Sequence, residues 1–176
     1  MKQFDVEDFV KQVLDGQVQP LTFESVEPAE TPNAYKITLR LDPSQIAHLP
    51  ESIRKMLEPQ IKEPLIIILV WDEARKKATL TIQTVRIPNA PGNREKALEA
   101  ANGHNQNVGH ISKMAILDRG THMDAGLSVT QHLPLPEHPD IAKQILHSVI
   151  MQLTMEAGNA ATLLIGGARD PNTPIH

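Results

Sequence analysis

The sequence has no cysteine among its 176 residues, which excludes a disulfide framework and any thiolate-ligated metal centre. Aromatic residues are scarce as well. Phe4, Phe9, Phe23, Tyr35 and Trp71 make up 3% of the chain, so the core has to be assembled from Leu, Ile, Val, Ala and Met. The longest apolar run, Leu65–Trp71, falls far short of the roughly 20 residues that cross a bilayer, and no membrane partner is expected. No apolar h-region follows Met1–Asp5, and the expected location is cytoplasmic. An excess of positive charge is also lacking. Lys and Arg number 17 against 21 Asp and Glu, a formal charge of −4, which removes the global electrostatic reason to expect nucleic acid.

Catalytic signatures are missing too. Without a Gly-x-x-x-x-Gly-Lys loop, Gly166-Gly167 reads as a chain terminator rather than a phosphate cradle. His-Glu-x-x-His is absent. Gly-x-Ser-x-Gly is absent as well, and Ser128 sits mid-strand, where a nucleophile is hard to expose. The carboxylates are scattered, with no apolar-flanked pair to suggest a raised pKa. No catalytic residue, cofactor or metal ligand is assigned.

A chain of this length is expected to form one domain over residues 1–169, with 170–176 as a mobile tail. The periodicity predicts a helix over Val6–Leu14 capped by Asp5, then strands near Leu21–Val26 and Tyr35–Leu41 separated by a loop Glu27–Asn33. Ser44–Glu58 reads as helix interrupted at Pro50, with Ile46, Leu49, Ile53, Met56 and Leu57 on one face. The β-branched run Leu65–Trp71 predicts a strand covered on both faces, turning through Asp72–Lys77 into Ala78–Ile87. Asn93 is expected to cap a helix over Arg94–Asn105. The strands His110–Leu117 and His122–Leu133 flank the turn Asp118–Thr121. Met123, Ala125, Leu127 and Val129 would lie on one side of the second strand, with Asp124, Ser128, Thr130 and His132 on the other. Pro139 opens a last helix whose apolar stripe is Ile141, Ile145, Val149 and Leu153, ended by Gly158 or extended by Ala160–Ile165. Paired strands with short turns define an α+β fold, an antiparallel sheet with helices at one face and at its ends.

Eight histidines raise the question of a metal site. Pairing Leu117 with His122 sets His110 opposite Val129 on the apolar face and puts His122 on the polar one. His122 and His132 share a face but lie roughly 33 Å apart at ~3.3 Å per residue. His122 with Asp124 is therefore the remaining i, i+2 polar pair, with two solvated side chains as the plainer reading. His104 and His138 fall at helix ends, where capping or solvent is expected, and His147 near the core boundary of the last helix. Arg75-Lys76-Lys77 reads as a solvated turn, because no aromatics interleave it. Asn102 and Asn105 are expected to be structural, bonding the free groups of a helix exit.

A helix ending in Asn102-x-x-Asn105 is followed by the strand Ile111–Leu117, the tight turn at Asp118–Gly120 and the strand Met123–Leu133, and Leu133-Pro134-Leu135-Pro136 leads into a long amphipathic helix. With these motifs the stretch from Asn93 to Gly158 resembles the YbjN-like family of sensory-transduction regulators, whose fold is similar to that of type III secretion chaperones. The segment Ser44–Glu58 looks like an insertion relative to that family. The resemblance implies a small non-enzymatic protein, often dimeric, that binds a protein partner or client. The sequence thus points to a protein-binding or chaperone-like module, a homodimer. A histidine-using metal-binding protein or small hydrolase stands as the alternative.

Overall fold

The computed structural model describes residues 5–15, 21–48, 50–51, 54 and 63–167. In chain order the elements are α1 (Val6–Leu14), β1 (Leu21–Pro28), β2 (Ala34–Leu41), α2 (Pro43–Ile46), β3 (Leu65–Asp72), β4 (Lys77–Pro88), α3 (Asn93–Gln106), β5 (Lys113–Asp118), β6 (His122–His132) and α4 (Pro139–Gly167). The strands form an open antiparallel sheet of order β1-β2-β3-β4-β6-β5, which makes the protein α+β. The chain divides into two compact units, Met1–Leu80 with Gln131–Met151 and Thr81–Thr130 with Gln152–His176.

In the first unit, α1 begins where Asp5 Oδ1 accepts the amide of Asp8 at 3.1 Å. Glu7 and Asp8 in its first turn and Lys11 in its last suit the helix dipole. Val6, Phe9, Val10, Val13 and Leu14 form its buried face. The expected loop Glu27–Asn33 is shorter than anticipated. β1 runs on to Pro28, and Ala29 donates its amide to the Ala34 carbonyl. As the outermost strand, β1 tolerates a proline that lacks a ladder donor. Its register shifts between Phe23 and Ser25, and Glu24 there reaches Arg40 at 2.5 Å. Ile37, Leu39 and Leu41 of β2 are buried, as the alternation requires. Asp42 caps α2 through the amide of Ser44. Leu49, Ile53, Met56 and Leu57 of the expected helix Ser44–Glu58 lie outside the described residues, as does the 170–176 tail.

β3 corrects one expectation. Ile67, Leu69 and Trp71 are buried, but Ile66 and Val70 on the opposite face remain 39% and 38% exposed. Among the described residues the expected covering of the run is therefore complete on one face and partial on the other. It pairs antiparallel with β2, Ile66 opposite Thr38 and Ile68 opposite Lys36, and successive side chains alternate between a core face and an outer face.

In the second unit the start of α3 departs from the sequence reading. Gly92, at φ 80°, occupies the cap position, a backbone state that glycine enters without a steric cost. Asn93 sits one residue inside the helix, buried, and donates Nδ2 to the Pro88 carbonyl at 3.1 Å. β5 starts at Lys113 rather than His110, and its register pairs Leu117 with Asp124, not with His122. Because the slip is two residues, the faces of β6 are unchanged. Met123, Ala125, Leu127 and Val129 are buried in this unit with Ile82, Leu153, Ala157 and Leu164.

α4 continues past Gly158 to Gly167. Ile141 drops out of the anticipated stripe and is exposed. A strict four-residue spacing drifts by roughly 40° per step around a helix of 3.6 residues per turn. The buried positions therefore mix spacings of three and four, through Ala142, Leu146, Val149, Ile150 and Leu153. Among the described residues no helix is long and apolar enough to cross a membrane.

Leu127 has no exposed surface, whereas Leu163 is 63% exposed. Leu127→Ala should lower the unfolding free energy by about 2–5 kcal/mol, and Leu163→Ala by no more than about 0.5 kcal/mol. Urea denaturation of the two variants measures both.

Candidate functional site

The helical wheel of α4 puts an acid where an apolar residue belongs. Glu156 lies three residues after Leu153 and four before Ala160, both buried, and is itself only 5% exposed. A buried carboxylate requires donors, and the connection between α3 and β5 supplies them. Oε1 accepts the amide of Ile111 at 2.9 Å and Nε2 of Gln152 at 3.1 Å. Oε2 accepts the amide of Ser112 at 3.1 Å and its hydroxyl at 2.5 Å. These bonds explain why β5 begins only at Lys113: the two preceding amides are committed to α4.

His104 joins the same cluster. Its Nε2 lies 3.0 Å from Ser112 Oγ and 3.8 Å from Glu156 Oε2. Of the two expectations for His104, capping or solvent, the second is corrected, since the residue is 5% exposed. It follows Ala97 and Ala101 on the buried face of α3, and that small-residue stripe is the sequence signal that could have placed it. His110 is not on β5 opposite Val129. It precedes the strand, its ring centroid 4.0 Å from that of His104. Its Nδ1 is buried and has no hydrogen-bond partner among the described residues.

A serine, a histidine and a glutamate in contact invite comparison with a hydrolase. A nucleophile, however, gives its hydroxyl proton to the imidazole, and the acid then orients the imidazole. Here the Ser112 hydroxyl donates to the carboxylate, and its oxygen is what the His104 ring meets. Ser112 also has no exposed surface. The cluster is a clasp that ties the α3–β5 connection to α4.

Asn105 makes a second tie. Its Oδ1 accepts the amide of Met114 at 2.7 Å and its Nδ2 donates to the Met114 carbonyl at 3.0 Å. One carboxamide thus satisfies both backbone groups of a residue on an outermost strand, in the manner of a neighbouring strand. Asn102 is separated from this arrangement. It lies within α3, exposed, and its side chain makes no hydrogen bond among the described residues.

The polar pair His122 and Asp124 is brought together on the non-core face of β6, Nε2 to Oδ1 at 3.5 Å. Two arginines absent from the sequence reading also reach Asp124: Arg86 Nε at 3.5 Å and Arg119 Nε at 3.2 Å. Gln83 Nε2 adds a hydrogen bond of 3.1 Å. Among the described residues no group of three or more His, Asp and Glu is placed to hold a metal ion.

The fold and these clusters define a class, an α+β protein with an open antiparallel sheet and a buried carboxylate clasp. Comparison with protein-family models, curated proteins and solved structures finds no match to this chain.

The clasp makes stability depend on pH. Burial pushes the His104 imidazole below its ordinary value, helped by the neighbouring His110, against the opposing pull of Glu156. The unfolded chain therefore protonates His104 at about 6.5 while the folded chain does not, so stability falls as pH drops below that value. For Glu156, burial pushes the carboxyl upward. The Ser112 hydroxyl, the amides of Ile111 and Ser112, and Gln152 outweigh it and hold the carboxyl below its ordinary value. Its contribution is present above about 4.5 and is lost as pH falls through the lowered value. Chemical denaturation from pH 7.5 to 5 should show His104→Gln with a shallower loss of stability than wild type.

Asn105→Ala leaves the two Met114 backbone groups without their partner and should cost about 1–3 kcal/mol. Asn102→Ala should change stability by less than about 0.5 kcal/mol. Equal effects in thermal denaturation would refute the division of roles between them.

Proposed function

We propose that the chain is a non-enzymatic protein-binding module that self-associates through the outer face of β3. One observation carries this reading: Ile66, Ile68 and Val70 form a row on that face, with Ile66 and Val70 each a little over a third exposed. Branched apolar side chains aligned on a pleated sheet lose contact with water when a second sheet or helix packs on them. Lys36, opposite Ile68, and the ion pair of Arg40 with Glu24 give the row a charged border, the arrangement of an apolar interface core with a polar rim. A twofold contact would set the same row against itself and would need to bury more than ~1,000 Å² in total.

The resemblance of residues 93–158 to YbjN-like proteins supports the same reading, since dimers and protein partners are expected of that family. Cytoplasmic residence belongs to it as well. The chemistry of the clasp agrees, because Ser112 is oriented to hold a carboxylate and not to attack a substrate.

Light scattering at micromolar concentration should give the mass of two chains. Ile66→Glu with Val70→Glu should give the mass of one chain with an unchanged far-ultraviolet dichroism spectrum. A wild-type mass of one chain, constant on tenfold concentration, would overturn self-association.

A further inference from the structure

We infer that the non-core face of β4, β5 and β6 in the second unit is a docking surface for an acidic peptide segment, held by the guanidinium groups of Arg86 and Arg119. Both arginines approach Asp124 through Nε, Arg119 in a hydrogen bond and Arg86 as an ion pair. Each presents Nε to one carboxylate oxygen, Arg86 to Oδ1 and Arg119 to Oδ2. Neither has another partner among the described residues, and their side chains are 66% and 55% exposed. A guanidinium held through Nε keeps its terminal nitrogens available for a carboxylate. The Asp124 side chain, only 12% exposed and fixed further by Gln83, acts as the anchor that restrains both arginines before any ligand arrives. Such restraint lowers the ordering cost of binding.

Charge and shape indicate the occupant. One aspartate neutralises only one of the two arginines, and His122 Nε2 lies 3.5 Å from the same carboxylate. This face is therefore locally cationic on a chain whose formal charge is −4. Next to Asp124 across the strand pair lies Leu117, 51% exposed, and the next pair on that face is Gly126 with Ala115. Small side chains beside an apolar one and two anchored cations suit an extended segment with an acid next to an apolar residue. Nucleic acid fits less well. The chain's Phe, Tyr and Trp residues all lie between positions 4 and 71, so this unit offers no large aromatic ring for a base to stack on. A second copy fits less well too, because its acidic side chains on this basic face would make a head-to-tail contact rather than the commoner twofold one.

The test is fluorescence anisotropy on the full chain with a labelled peptide of alternating Glu and Leu. The comparison probes are the same peptide with Gln for every Glu and a labelled oligothymidine. Wild type should bind the Glu peptide about tenfold or more tightly than the Gln peptide at low salt. That preference should vanish near 1 M salt, where the screening length is about 3 Å. Arg86→Gln with Arg119→Gln should reduce Glu-peptide affinity to the Gln-peptide level. Arg86→Gln alone carries the same test if the double variant melts early. Leu117→Ser should weaken both peptides. Equal binding of the two peptides, binding that survives loss of the arginines, or tighter binding of oligothymidine would each overturn the inference. Light scattering on the same samples separates this surface from the β3 contact, because these substitutions should leave the mass unchanged.

Discussion

A carboxylate removed from water has to be given hydrogen-bond donors or it will take up a proton. Glu156 meets that requirement with backbone amides and a hydroxyl from one short segment, Ile111 and Ser112, and with Gln152 one turn earlier on its own helix. The architecture of the second unit follows from this. The two amides used for the carboxylate cannot enter the ladder, so β5 starts at Lys113. Asn105 then supplies both bonds for Met114. His104 and His110 fill the space between helix and loop, one ring against the other. Removing the carboxyl group would leave donors buried without an acceptor, which is generally more costly than never having had the pair.

Strands and helices were legible in the sequence because they rest on local periodicity. Val6–Leu14, with its Asp5 cap, was legible to the residue, since spacing and cap are both local signals. The alternation of β6 survived an error of two residues in the hairpin register, because such a slip preserves the face. Of what failed, one reading depended on contacts distant in sequence and another on the local backbone of a cap. The run Leu65–Trp71 gives no sign of which of its faces will be covered. Asn93 is a good cap residue by type, yet Gly92 with its left-handed backbone took the position.

The candidate site was less legible than the fold for the same reason. The Asn105 contact spans nine residues and lies at a recognisable helix exit, so its structural expectation had a local basis. Glu156 acts on residues 44 and 45 positions away, beyond any periodic window. Its one local signal is its place on the buried stripe of α4. Arg86 likewise reads as an ordinary polar residue on a strand until β4 and β6 share a sheet and Asp124 stands beside it.

Glu156 and Asp124 show how one side-chain type takes opposite roles according to what surrounds it. Glu156 is saturated by donors that have no other task, so its charge is consumed internally and a ligand would find nothing to bind there. Asp124 is contacted by two cations that each keep a free end in solvent. Its charge is spent on orientation rather than on closure, and the surplus stays on the surface. The largely buried Asp124 carboxylate needs donors for folding, and Gln83 and Arg119 already supply one to each oxygen. Folding is therefore a weaker reason for the second arginine, whose side chain is 66% exposed. Recognition of a negatively charged partner is a stronger one, because restrained guanidinium groups gain selectivity from their geometry even where they add little to the stability of the fold.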